Sequence, residues 1–246
     1  MRLAGKTAVI TGAGSGFGAG IARRFAEEGA RVMVADINLA GAEAVAAEVE
    51  GVVQKVDVAN DASVAEMVAA ARAALGRIDI LVNNAGVTHL PAAMEDVTEA
   101  EFDRVLAVNA KSVYLTARHI VPHMKNRGTG AILNIASTAG VSPRPRLNWY
   151  NASKGWMITA TKAMAVELAP FGVRVNALNP VAGETPLLPS FLGEDTPEMR
   201  AKFLSTIPMG RFSTPQDLAN AALFLCSDEA SLITGVGLEV DGGRCI

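Results

Sequence analysis

The sequence has little from which to build a disulfide framework or a metal centre. Its 246 residues include two cysteines and three histidines. Cys226 falls inside an apolar helical pattern and Cys245 sits at the extreme tail, so neither a disulfide set nor a zinc cage is expected, and a reducing cytoplasm fits. His89, His119 and His123 lack metal-ligand spacing, and no metal site is expected. No apolar run reaches the roughly 18 residues of a membrane span. The opening Met1-Arg2-Leu3-Ala4-Gly5-Lys6 leads straight into an apolar strand without the h-region of a signal peptide, so a soluble, cytoplasmic chain with no membrane partner is expected. Concentrated charge is absent too: 22 basic and 25 acidic residues are interspersed to a net −3. Such a balance offers no block of like charge for nucleic acid.

Aromatics make up only 5% of a chain that is 50% apolar. The Ala, Val, Ile and Leu that remain suit a parallel sheet buried on both faces. Strand-like runs occur at Thr7 to Thr11, Arg31 to Asp36, Val52 to Val56, Ile78 to Asn83, Ala131 to Ser137, Val173 to Asn179 and Gly237 to Val240. Helical patterns alternate with them over residues 16–29, 39–50, 61–75, 99–126, 150–169 and 215–227, with caps expected at Asp61, Thr98 and Thr214. Strand, crossover helix and parallel strand are almost invariably right-handed, which predicts an α/β doubly wound, seven-stranded Rossmann sheet with helices on both faces. The length suits a single domain, residues 1–246, whose one long interruption, 181–208, reads as a loop or lid over the crevice.

Thr11-Gly12-Ala13-Gly14-Ser15-Gly16-Phe17-Gly18 joins the first strand to a helix. In that context Gly12, Gly16 and Gly18 permit a tight turn and close backbone approach, while the helix N-terminus, with Ser15 and Phe17, faces a pyrophosphate. Asp36 ends the second strand, where a carboxylate accepts hydrogen bonds from ribose hydroxyls and repels a 2′-phosphate. No Arg or Lys lies between Asp36 and Glu50 to receive one. NAD is therefore expected over NADP. Asp57 and Val58 follow the third strand as a polar and an apolar contact for adenine, and Asn83-Asn84-Ala85-Gly86 follows the fourth at the crevice floor.

Tyr150 and Lys154 stand one helical turn apart on one face. A free phenol has a pKa near 10, and lowering it by about 3 units takes roughly 4 kcal/mol of preferential phenolate stabilisation. A neighbouring ammonium and a positive nicotinamide ring supply that kind of stabilisation, making Tyr150 a general acid/base. Ser137 ends the fifth strand, where its hydroxyl can bond a substrate oxygen as charge develops there. Asn109 lies within a predicted helix, a position that a hydrogen-bonding role would rationalise.

Together Gly12, Gly16 and Gly18, Asn83-Asn84-Ala85-Gly86, Asn109, Ser137 and Tyr150-x-x-x-Lys154 resemble the short-chain dehydrogenase/reductase family, in an ordered set spanning most of the chain. The resemblance implies Tyr150 as acid/base, Ser137 on the substrate oxygen, Lys154 on the nicotinamide ribose, and Asn109 in a water relay. It also implies a homotetramer. In that family a Pro-Gly pair follows the sixth strand, with a cofactor-contacting Thr five residues after the Pro. Pro180 and Thr185 fit, but Val181 replaces the Gly, and Gly183 comes two positions later.

Substrate contacts are expected from the least patterned segments, with His89, Arg144, Arg146, Trp149 and Leu188 as candidates. The arginines are suited to a carboxylate or phosphate. Similarity is greatest to oxoacyl-carrier-protein reductase-like and glucose dehydrogenase-like members. The preferred reading is an NAD-dependent dehydrogenase of a secondary alcohol such as a sugar, polyol, hydroxy acid or cyclic alcohol. A 3-oxoacyl-carrier-protein reductase and a non-catalytic NAD-binding regulator are the alternatives.

Overall fold

The computed structural model describes all 246 residues. Strands β1 Thr7–Thr11, β2 Arg31–Asp36, β3 Val52–Lys55, β4 Ile80–Asn83, β5 Gly130–Ile135, β6 Val173–Pro180 and β7 Gly237–Val240 form one sheet in the order β3-β2-β1-β4-β5-β6-β7. Every pairing is parallel. The chain winds outward from β1 to β3, returns, and continues from β4 on the other side of β1. This reversal opens a crevice at the carboxyl ends of β1 and β4.

Helices α1 Gly16–Glu27, α2 Leu39–Glu48, α3 Asp61–Leu75, α4 Glu99–Leu106, α5 Ser112–Arg127, α6 Asn148–Leu168, α7 Leu188–Leu192, α8 Pro197–Leu204 and α9 Pro215–Cys226 supply the outer layers and the interrupting segment. Strand alternation sorts the core between two faces. Ala8 and Ile10 of β1 pack with Ile21, Phe25, Val45 and Leu223 from α1, α2 and α9. Val9 between them packs on the opposite face with Met67, Leu115, Ile120 and Leu168 from α3, α5 and α6. Each such fully buried side chain contributes about 1.5–3 kcal/mol, which holds the strand ends below the crevice rigid.

Local chemistry sets the helix starts. Thr98 and Thr214 each form a capping box, with Glu101 and Asp217 reaching back to the cap. The expected cap Asp61 is instead the first residue of α3. Asn60 takes the capping role, accepting from Ser63 N at 3.0 Å, because an Asx side chain reaches the N–H three residues on only from the extended position. The single helix expected over 99–126 is divided. Ala107–Lys111 widens into a π-helical turn between α4 and α5, with Asn109 inside it. Residues 181–208 hold α7 and α8, and with Phe212 just beyond them Val181, Leu188, Leu192, Phe203 and Ile207 form a small separate core.

No helix is long and apolar enough to cross a membrane. Both cysteines are free, and burial pushes the Cys226 thiol up to about 12, leaving it in its unreactive protonated form. No group of three or more His, Cys, Asp or Glu side chains is arranged to hold a metal ion.

Candidate active site

A cleft of about 700 Å³ opens over the carboxyl ends of the strands and runs from the glycine turn to the 181–208 segment. At one end Gly12 adopts φ 63°, and a Cβ there would stand 2.7 Å from Ala85 Cα. Only glycine lets the first turn and the Asn84-Ala85 floor approach so closely. Asn84 locks them together, donating from Nδ2 to the carbonyl oxygens of Thr11 at 2.9 Å and Gly12 at 2.8 Å. Gly18 is buried against this joint and stays outside the cleft, so its part is to let helix and floor pack. Ser15 precedes α1 without a side-chain capping bond, which leaves the helix N-terminus open to an anion.

Asp36 sits at the cleft edge with both carboxylate oxygens anchored. Oδ2 accepts from Gly14 N at 2.8 Å and Oδ1 from Asn38 N at 2.9 Å. It carries its charge beside the glycine turn with geometry fixed from two sides. Ile37, Val56, Asp57, Val58 and Ala59 continue the lining. Glycine cradle, open helix end, fixed acid and small-residue floor together fit a dinucleotide.

Val181 leaves the family pattern because it does another job: it is 3% exposed and belongs to the core of the 181–208 segment. Gly183 takes over the close approach. It lies under the Phe17 ring, where a Cβ would overlap the ring, and it forms a parallel bridge with Ser213. This detour still delivers Thr185 to the cleft against Gly16, with Pro180 alongside.

The four polar residues singled out from the sequence converge at the middle of the cleft. Ser137, Tyr150 and Lys154 line it and are 8%, 5% and 4% exposed. Lys154 Nζ donates to Ile135 O at 2.8 Å and lies 5.9 Å from the centre of the Tyr150 ring. Asn109 is fully buried behind them. Its Oδ1 accepts from Val87 N at 2.9 Å, and its Nδ2 donates to Val87 O at 2.8 Å and to Ser153 Oγ at 3.0 Å. The helix-interior asparagine is thus a bridge between the π-helical turn, the chain after β4, and α6. Irregular turns of this kind recur at functional sites.

The electrostatics correct one expectation. In the protein alone the Tyr150 phenol is pushed up to about 12, because burial disfavours phenolate by more than the hydrogen bond to Ser137 favours it. Burial also lowers the Lys154 ammonium to about 8. A depressed tyrosine pKa is therefore not built into the residues by themselves. At neutral pH the site holds a neutral phenol and a charged lysine.

The substrate candidates divide. Arg144 lines the cleft, but Arg146 does not. Arg146 is exposed at φ 67°, and its guanidinium reaches Pro91 O at 3.5 Å on the outer side. Trp149 stands outside too, with Nε1 donating to Met94 O at 3.3 Å and its ring edge-on to Phe102 at 5.3 Å. Leu188 is interior to the small core. His89 is buried away from the cleft lining, and its Nδ1 donates to Leu90 O at 2.8 Å. Plain alternation would put both arginines on one side; the left-handed φ of 67° at Arg146 breaks the extended run after Arg144, so that Arg146 leaves the cleft and Leu147 lines it. Of the apolar wall expected from Trp149, Leu187, Leu188, Phe191 and Met199, Leu187 and Phe191 line the cleft and the other three do not; sequence reasoning missed Leu147 and Phe203. Their only signal was an unpatterned apolar character, shared with ordinary lid packing.

A family model described as enoyl-(acyl carrier protein) reductase matches residues 12–244. The chain is 50% identical over 252 residues to 4-formylbenzenesulfonate dehydrogenase of Comamonas testosteroni, with 100% of both chains covered. It is 40% identical over 247 residues to 2,5-dichloro-2,5-cyclohexadiene-1,4-diol dehydrogenase of Sphingobium indicum, covering 98% of this chain and 97% of the other. Among solved structures, 3-ketoacyl-(acyl-carrier-protein) reductase from Brucella melitensis complexed with NADH superimposes at a TM-score of 0.95 with 54% identity, over 99% of this chain and 100% of that one.

Proposed function

The chain belongs to the short-chain dehydrogenase/reductase family and is an oxidoreductase; on that premise we propose that it interconverts a secondary alcohol and its ketone with NAD, using Tyr150 as acid and base. The observation that carries this reading is the burial of Tyr150, Lys154 and Ser137 in one cleft with the glycine turn. The alternative of a binding protein without chemistry has no support in a site where the whole polar group is assembled.

Gly12, Ser15, Gly16 and Phe17 would hold the pyrophosphate, Asp36 the adenosine ribose, Asp57 and Val58 the adenine, and Asn84, Ala85, Gly86, Pro180 and Thr185 the nicotinamide half. When bound, the cofactor supplies the acceptor or donor of hydride and, in its oxidised form, a positive charge beside the phenol. Tyr150 then gives its proton to a carbonyl oxygen or takes one from an alcohol, with Ser137 Oγ donating to the same oxygen. Lys154 holds the nicotinamide ribose and favours phenolate, and Asn109 fixes the turn through which protons pass by way of water. With the phenol held neutral by burial, the unliganded site is set for proton donation, and oxidation gains from higher pH.

Residues 181–208 act as a lid over the substrate. Tyr114, Trp156 and Val166 on α5 and α6 are 54%, 44% and 80% exposed, apolar surface that suits a tetramer assembled through these helices. The free thiols suit a reducing cytoplasm.

A second reading is favoured by the reductase relative from Brucella melitensis, whose crystal holds NADH. NAD preference therefore does not separate a 3-oxoacyl-carrier reductase from an alcohol dehydrogenase here. The deciding experiment assays NADH formation over sugars, polyols, hydroxy acids and cyclic alcohols beside NADH oxidation with ketones and a 3-oxoacyl thioester. Tyr150→Phe is expected to keep NAD affinity and lose about 10²–10⁴-fold in kcat. Near-normal turnover in that variant refutes the acid/base assignment.

A further inference from the structure

Arg144 is a cation for which the fold provides no counter-charge. Its guanidinium lies 3.7 Å from the centre of the Phe203 ring, stacked on an apolar wall of the cleft that also holds Tyr150. Stacking occupies the flat face of a guanidinium and leaves its in-plane N–H edge free to meet a planar or tetrahedral oxyanion. The charge that acts on it has the same sign: Arg244, in the tail after β7. Arg244 is itself incompletely satisfied, its Nε being buried without a hydrogen-bond partner.

Burial and this repulsion lower Arg144 to about 10, still protonated at neutral pH. A cation stacked on an aromatic ring, with a second cation acting on it and no acid paired to it, destabilises the free protein and favours an incoming anion. Two arginines in the same chain, Arg200 and Arg211, are handled differently. Arg200 pairs with Asp195, and Arg211 with Asp217.

We propose that Arg144, backed by Arg244, is an anion-recognition subsite that receives a carboxylate- or sulfonate-type group carried on an apolar, ring-sized substrate. The rest of the wall matches such a molecule. Leu147, Leu187 and Phe191 line it, and Phe191 lies 5.2 Å from the Tyr150 ring, so an apolar body would lie between the reacting oxygen and the anion. The subsite is assembled from three distant segments. Phe203 comes from α8, Arg144 from the loop after β5, and Arg244 from the tail, which is held to the chain just after the 181–208 segment by Met209 N donating to Gly242 O at 3.1 Å.

This assignment rests on the proposed oxidoreductase reading, and its test separates the two. The probes are 4-acetylbenzoate and its neutral isostere 4-acetylbenzamide, titrated calorimetrically into the NAD-loaded enzyme and also assayed as ketones with NADH. The wild type is expected to bind the carboxylate at least about tenfold more tightly than the amide, the discrimination of one charge-assisted pair. In Arg144→Met the two affinities converge to within about threefold, while Arg144→Lys keeps part of the ratio. Wild-type NAD affinity and a raised Tm of the ligand-free Arg144→Met protein show that the fold persists. Arg244→Gln lowers the ratio without abolishing it. Equal affinities in the wild type, or an Arg144→Met variant with the wild-type ratio, overturns the subsite. Charge-selective binding without turnover of any ketone overturns the acid/base reading and leaves the subsite standing.

Discussion

Lys154 should weaken the protein it serves, and the size of that effect follows from its surroundings. It is 4% exposed, with its ammonium donating only to Ile135 O, and burial lowers its pKa from 10.5 to about 8. A shift of that size corresponds to about 3 kcal/mol of preference for the neutral amine in the folded state. A lowered lysine pKa means that between pH 8 and 10.5 the unfolded chain binds more protons than the folded one. Stability from this group therefore rises with pH through that window, and below pH 8 the full penalty remains. Tyr150, raised from 10 to about 12, acts in the opposite direction only above pH 10, so pH 7 and pH 10 isolate the lysine. Lys154→Met replaces the stem with similar volume and no charge, and leaves Ile135 O without this donor at a cost of about 1–2 kcal/mol. At pH 7 the ligand-free variant should be more stable than wild type by about 1–2 kcal/mol, and at pH 10, where about 0.8 kcal/mol of the penalty persists, it should be less stable by about 0.5 kcal/mol. Urea denaturation of both proteins at the two pH values measures the difference, and turnover of the variant should be lost throughout. A stability change that is the same at pH 7 and pH 10 refutes the claim that Lys154 is held as a strained cation.

Two further outcomes test other parts of the site. Asp36→Ala combined with Ile37→Arg removes the fixed acid and adds a cation at the cleft edge, and the ratio of NADP to NAD efficiency should rise by about 10²-fold or more; unchanged kcat/KM ratios would mean another group reads the ribose. Asn109→Ala deletes the bonds to Val87 and Ser153 and should destabilise the protein by about 2–4 kcal/mol with a loss of kcat, whereas a change below about 0.5 kcal/mol by urea denaturation would show that the π-helical turn holds itself.

The part of the cleft proposed to hold the cofactor was legible in the sequence because spacing encodes it. Backbone approach demands glycine at Gly12 and Gly16, and both sit within one turn of the strand that places them. Asp36 is likewise fixed by ending β2 beside that turn. Asn109 was legible as an anomaly, a poor helix former inside a helical pattern, but the π-helical turn was not, since its partners Val87 and Ser153 lie 22 and 44 residues away. The irregular backbone and the hydrogen bonds explain each other only once both are seen. Val181 was a departure without a cause until the small core of residues 181–208 and the contact of Gly183 with Phe17 showed the close approach moved two positions along the chain.

The substrate half resisted reading for a different physical reason. Its chemistry depends on what a side chain lacks, and a missing counter-charge leaves no spacing signature. Arg144 and Arg146 look alike in sequence, one on each side of Pro145, yet one faces the cleft over Phe203 and the other meets Pro91 O outside. Arg144 gains its meaning from Phe203 and Arg244, which reach it only through the fold. The same logic joins Arg144 to Lys154: both are cations held where burial disfavours their charge. Stability alone would favour an apolar group at each position, so their presence is best explained by the ligands that relieve the strain, a nicotinamide ribose with phenolate at one and an oxyanion at the other.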